Sequence, residues 1–212
     1  MISNLEACKE DYGVDGGEWS NSIVSTKAVQ APNGLLAYPD ADQPTASDAT
    51  IAPVRALAEA AATATGGMEV GMGSEGGEVF EPYWIAASDD WSAQDLTADT
   101  IRSLFGGTLY ANTTIETGPI AEDAPWWKQL HEQLTEDDDE EEAAYAEETV
   151  ADWRKVIAWF SSQPAFVETA FVAIDPTEPR DDTTGGCVFP RILLGRLEHG
   201  SLAGLFGVVV YT

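Results

Sequence analysis

The sequence predicts an α+β fold with an antiparallel or mixed sheet. Short β-branched and apolar runs of strand length alternate with segments whose apolar residues recur at helical spacing, and the chain closes on a glycine-punctuated apolar hairpin. With 212 residues the chain can bury a sizeable core without disulfide or metal staples.

Residues 1–47 are rich in Gly, Pro, Asp and Ser, with β-like runs at Ser22 to Val29 and Gly34 to Tyr38, and are expected to form an extension: a hairpin or an extra edge strand. The main domain is expected over 48–212. Ser47 or Asp48 can cap a helix from about Ile51, with Pro53 in its first turn and Ile51, Val54, Leu57, Ala58 and Ala61 on one face; Gly66-Gly67 ends it. Met68 to Met72 and Phe80 to Ala87 are predicted strands around a Ser74-Glu75-Gly76-Gly77 turn, which places Glu75 at a loop tip. A short helix from about Ala98 to Phe105, capped by Thr97 or Asp99, precedes a strand over Thr108 to Thr117. Trp126, Trp127, Leu130 and Leu134 have helical spacing, which predicts a helix from Pro125 to about Thr135. The acids from Glu136 to Glu142 repel one another and are expected to form a solvated loop entering the next helix, whose N-terminal dipole tolerates them. That helix, about Glu140 to Ser162, carries Ala144, Val150, Trp153, Ile157 and Phe160 near one face. Strands are expected at Phe166 to Ile174, Cys187 to Leu194 and Leu202 to Tyr211, with Asp175 to Gly186 an inserted hairpin loop or lid.

Charge narrows the function classes. Thirty-seven Asp and Glu against ten Lys and Arg give a formal net charge of −27, so neither nucleic acid nor an anionic membrane should attract this chain directly. Three readings fit such acidity: a halophile's solvated binding or structural module, a DNA mimic acting through charge, or an inhibitor steered to a basic enzyme. The two cysteines, Cys8 and Cys187, are too sparse for a secreted disulfide scaffold and are expected as thiols. The N-terminus lacks the basic and apolar regions of a signal peptide, and a soluble cytoplasmic protein, monomeric when free, is expected.

Catalytic constellations do not assemble from these residues. His131 and His199 lack metal-ligand spacing, Gly66-Gly67 and Gly76-Gly77 lack the Lys and Ser/Thr of a phosphate loop, and the acidic run lacks the central glycine of a calcium loop. With so many acids, the proximity of any two carries no weight for acid/base catalysis. The expectation is a protein that is not an enzyme and has no cofactor or metal of its own.

Two blocks carry a more specific signal. The first is Gly195, then Gly200-x-Leu202-Ala203-Gly204, then seven residues, then Thr212; the second is Ser74-Glu75 followed by Phe80-Glu81-Pro82-Tyr83-Trp84. Together they resemble the nuclease A inhibitor family, small acidic proteins that block a metal-dependent, sugar-non-specific DNA/RNA endonuclease, and the resemblance runs from about residue 50 to the end. It implies a three-layer α/β/α sandwich. It also implies a role for Thr212 and Glu75, which would occlude the nuclease active site at its catalytic Mg²⁺ or Mn²⁺ ion, the metal belonging to the partner. Carboxylates suit that task physically, since they are oxygen ligands of the hardness a phosphodiester offers. Ser74 belongs to the same motif, Tyr211 stands where the family usually has an acid and could anchor in a partner pocket, and Asp137, Asp138 and Trp127 are candidate rim contacts. Gly76-Gly77 replaces a second carboxylate of the family pattern.

Overall fold

The computed structural model describes residues 2–9, 23–72, 76–111, 113–135, 140–176 and 187–211. The chain runs α1 (Ser3–Cys8), β1 (Val29–Gln30), β2 (Leu36–Ala37), α2 (Asp48–Thr65), β3 (Glu81–Ile85) and α3 (Ala98–Ser103). It continues through β4 (Thr113–Gly118), α4 (Pro125–Thr135), α5 (Glu140–Ser162), β5 (Glu168–Pro176), β6 (Cys187–Arg196) and β7 (Leu202–Tyr211). The fold class is α+β, as the alternation of periods predicts.

The main sheet has five strands in the order β3-β7-β6-β5-β4, every neighbouring pair antiparallel. The last strand of the chain is therefore interior, paired with β6 along its whole length and with β3 through Phe206. This position explains why β7 is apolar at nearly every residue, since Leu202 through Val209 are all buried. Two glycines admit the close neighbours: a Cβ on Gly204 would collide with the Leu193 carbonyl oxygen, and one on Gly207 would stand 2.5 Å from a Val70 methyl and 2.8 Å from the Phe80 ring. Proline is tolerated where ladder donors are not needed. Pro82 lies on the edge strand β3, and Pro190 lies just past Arg191, where β5 pairing with β6 stops.

Helices cover both faces. Cross-strand partners share a face, and successive residues alternate. Ala203 packs with Val54 and Ala58 of α2, and the register places Leu205, Leu193 and Phe171 on that same side. There the Phe171 ring stacks on Trp126 at 4.2 Å and meets Trp153 edge-on at 6.2 Å, which brings α4 and α5 beside α2. On the opposite side Tyr83 meets Phe206 at 5.5 Å, and Glu81, of the same parity as Tyr83, accepts from the Ser3 hydroxyl and from the Asn4 amide of α1.

Residues of the 1–47 extension belong to this core. Ile2, Leu5, Cys8, Ile23, Val24, Leu35 and Leu36 are buried in one cluster with the sheet. Backbone hydrogen bonds stitch them in, from Leu36 N to Leu104 O at 2.8 Å and from Ala86 N to Asn33 O at 2.7 Å. The β1–β2 pair is a small sheet of its own, with Val29 opposite Ala37. Burial pushes the Cys8 thiol above its ordinary range, against a smaller lowering by the Arg191 guanidinium.

Local signals placed α2 to α5 well, whereas α1, which has no side-chain cap, lies in the extension, where no helix is expected. Ser47 accepts from Thr50 N at 3.2 Å as the N-cap of α2, and Gly66 closes that helix with φ of 64°. The helix begins at Asp48, so Pro53 sits in its second turn instead of its first. Two strand expectations are corrected. Met68 to Met72 makes only an isolated bridge, Glu69 to Val79, because Gly67 and Gly71 take φ of 81° and 57° and bend the segment out of a continuous ladder. The expected strand over Thr108 to Thr117 is divided: Leu109 bridges to Val24 of the extension, and β4 proper begins at Thr113.

Two predictions follow from the packing. The Tyr83 hydroxyl is buried and has no hydrogen-bond partner among the described residues, and burial raises the phenol above its ordinary range. Tyr83→Phe is therefore expected to raise stability by about 1 kcal/mol in urea unfolding at neutral pH. Because the native state holds that proton more tightly than the unfolded chain, Tyr83 contributes a loss of stability above about pH 10, the unfolded phenol value, and the Phe variant should lack this part of the alkaline decline. A truncation lacking residues 1–47 uncovers buried apolar side chains across one face of the sheet. By circular dichroism the full chain is expected to melt cooperatively and the truncated chain to lack that transition.

Candidate functional site

The end of β7 is where the two sequence blocks approach each other. Pairing with β3 stops at Phe206, and residues 76–78 take over that flank of the strand. Glu78 N donates to Val208 O at 3.1 Å, Gly77 bridges to Val209, and Val210 N donates to Gly76 O at 3.2 Å. The Tyr211 hydroxyl then donates to the Met72 carbonyl at 2.8 Å, while its half-buried ring rests against Phe189 at 5.8 Å. Met72 and Gly76 are thus both fastened to the last two described residues of the chain.

Glycine is required at this junction for two reasons. Gly76 takes φ of 98°, a left-handed value that strains any side chain. A Cβ on Gly77 would stand 2.9 Å from Val208 O and 3.1 Å from the Val70 Cβ. These requirements explain why glycine stands at both positions. On its other side the segment is backed by α5: a Cβ on Gly71 would lie 3.3 Å from the Thr149 methyl and 3.9 Å from the Tyr145 hydroxyl.

A shallow groove of about 300 Å³ runs beside this junction, lined among others by Glu69, Gly71, Tyr145, Glu148 and Asp152. Tyr145 is 57% exposed, an unusual exposure for an aromatic ring in this protein. Lys155 bonds Asp152 at 2.6 Å, and that contact holds the ammonium above its ordinary range. The lining therefore offers a partner mainly carboxylates and a phenol.

Of the residues singled out in the sequence, Ser74, Glu75, Asp137, Asp138 and Thr212 lie outside the described residues. Their described neighbours are placed: Met72 and Gly76 flank the first pair, Thr135 and Glu140 bound the acidic run between α4 and α5, and Tyr211 precedes Thr212. Tyr211 turns its hydroxyl inward to Met72. Trp127 is corrected: only 4% exposed, it packs against Trp126, Trp153 and His131, because α4 turns its apolar stripe to the sheet, and it offers no surface for a rim contact. Sequence reasoning did not find Met72, whose contribution is a backbone carbonyl, or Tyr145, whose neighbours on α5 disclose no site by spacing.

Among the described residues no group of three or more His, Cys, Asp or Glu is arranged to hold a metal ion. None of their helices is long and apolar enough to cross a membrane. A scan of the chain against protein-family models and a search of curated proteins both give no match.

Proposed function

We propose that the protein is a stoichiometric inhibitor of a metal-dependent, non-specific DNA/RNA endonuclease, acting by occlusion of the active site with Thr212 and Glu75. The observation that carries this reading is the fastening of Met72 and Gly76, the residues on either side of 73–75, to Tyr211 and Val210 at the end of β7. Chain connectivity then allows two carboxylates distant in sequence to be offered to one metal centre, one from the loop and one from the chain end. The α-carboxyl, with a reference pKa of about 3.3–3.7, is ionised at neutral pH, as is a loop glutamate.

The net charge of −27 complements a basic substrate cleft and accelerates encounter with it. Helices on both faces of an antiparallel sheet are in keeping with the α/β/α sandwich of the nuclease A inhibitor family, which the two sequence blocks resemble. Under this reading the divalent ion, Mg²⁺ or Mn²⁺, belongs to the nuclease. The reading takes Thr212 to carry the α-carboxylate, which the mass of the C-terminal peptide of the natural protein checks.

Digestion of plasmid DNA by a Mg²⁺-dependent sugar-non-specific nuclease tests it. The intact protein is expected to inhibit near one-to-one. Appending two glycines after Thr212, or replacing Glu75 with Gln, should weaken inhibition at least about thirtyfold, as for loss of a hot-spot contact, with the melting temperature unchanged. Equal inhibition by the intact and extended proteins, falling steeply with salt, would instead identify a charge mimic. Inhibition by neither would leave an acidic binding module with another partner.

A further inference from the structure

We infer that Tyr211 is a positioning residue, a brace that fixes the loop flanks to the final strand, and not an aromatic anchor for a partner pocket. The inference rests on the inhibitor reading for its functional consequence, while its structural content concerns the free protein alone. Three observations carry it.

The Tyr211 hydroxyl is committed to the Met72 carbonyl at 2.8 Å, and its ring lies over Phe189 with an interplanar angle of 34°. An anchor needs an outward ring with an uncommitted polar tip, and this ring has neither. Next, the backbone ladder alone leaves one side of the loop unsecured. Val210 N to Gly76 O and the Gly77 bridge hold the outgoing flank, whereas at the incoming flank Gly71 takes φ of 57° and the regular pairing of Val70 with Glu78 has already ended. The phenol reaches across that gap. Finally, the segment has a rigid wall behind it, since Gly71 abuts Thr149 and Tyr145 of α5, so a single bond from the front suffices to immobilise Met72.

The chemistry favours tyrosine at this position for a reason the sequence does not disclose. An acid there would meet a carbonyl oxygen, an acceptor facing an acceptor, and would repel it. A phenol donates to that oxygen and keeps the aromatic contact with Phe189. The departure from the family pattern at Tyr211 thus exchanges one carboxylate for order in the two segments beside it.

Amide hydrogen exchange of the full-length free protein and of Tyr211→Phe, read together with nuclease inhibition, tests the brace. The Phe variant keeps the ring and removes only the donor. Exchange at the Val70 amide, which donates to Glu78 O at 3.2 Å two residues before Met72, is expected to quicken about fivefold, the factor of an ordinary net hydrogen bond, while amides of β5 and α2 stay unchanged. Inhibition of the nuclease should weaken by a similar factor, and Tyr211→Leu, lacking ring and donor, should weaken it further. Unchanged exchange at Val70 in the Phe variant would overturn the brace. If the wild-type protein fails to inhibit any nuclease, the inhibitor reading falls, and the exchange comparison still decides whether Tyr211 braces the loop.

Discussion

The burial of β7 between β3 and β6 is the constraint on which the rest of the molecule depends. A strand flanked on both sides and covered on both faces must be apolar at successive positions, and Leu202 through Val209 meet that demand. Its glycines then set distances: Gly204 lets the β6 backbone approach, and Gly207 lets Val70 and Phe80 close over the strand. With each apolar side chain contributing about 1.5–3 kcal/mol when fully buried, this one strand is a large share of what opposes chain entropy and the self-repulsion of a strongly acidic surface.

That self-repulsion shapes where the few cations go. Arg191 is buried beside β5, its guanidinium 2.8 Å from the Asp175 carboxylate and bonded to the Ile174 and Pro190 carbonyls. Arg196 pairs with Glu168 at 2.9 Å, across the register that joins β5 to β6. Both arginines hold the hairpin of the sheet together, whereas exposed pairs such as Arg55 with Glu59 are worth little. Lys9 and Arg191 are buried, while Lys27, Arg55, Lys128, Arg154 and Lys155 stand exposed among a far larger number of acids. A surface of this kind repels nucleic acid.

The candidate site follows from the same strand. Because β3 stops pairing at Phe206, the last turn of β7 has a vacant flank, and residues 76–78 fill it. Met72, Gly76, Val210 and Tyr211 are consequently parts of one assembly. A rigid scaffold that presents loops is the usual way in which a binding site obtains its geometry.

The sequence by itself determined helices α2 to α5 and the closing hairpin, but not α1, which lies in the segment expected as a hairpin or edge strand. Ser47, Thr97 and Gly66 act through contacts a few residues away, and the apolar stripes of α4 and α5 have a period that survives without tertiary information. It also determined the charge, and through the charge the classes of partner the protein would repel. Only the tertiary structure decided that the extension is part of the core, that Trp127 lies within the aromatic cluster, that Met68 to Met72 makes a single bridge to Val79, and that the strand expected from Thr108 divides into a bridge at Leu109 and β4 from Thr113. It alone joined Met72 to Tyr211 across 139 positions of sequence. The physical reason is the range of the interactions: caps and helical periods are local, whereas strand partners, burial and a phenol's choice of acceptor depend on what the rest of the chain brings alongside.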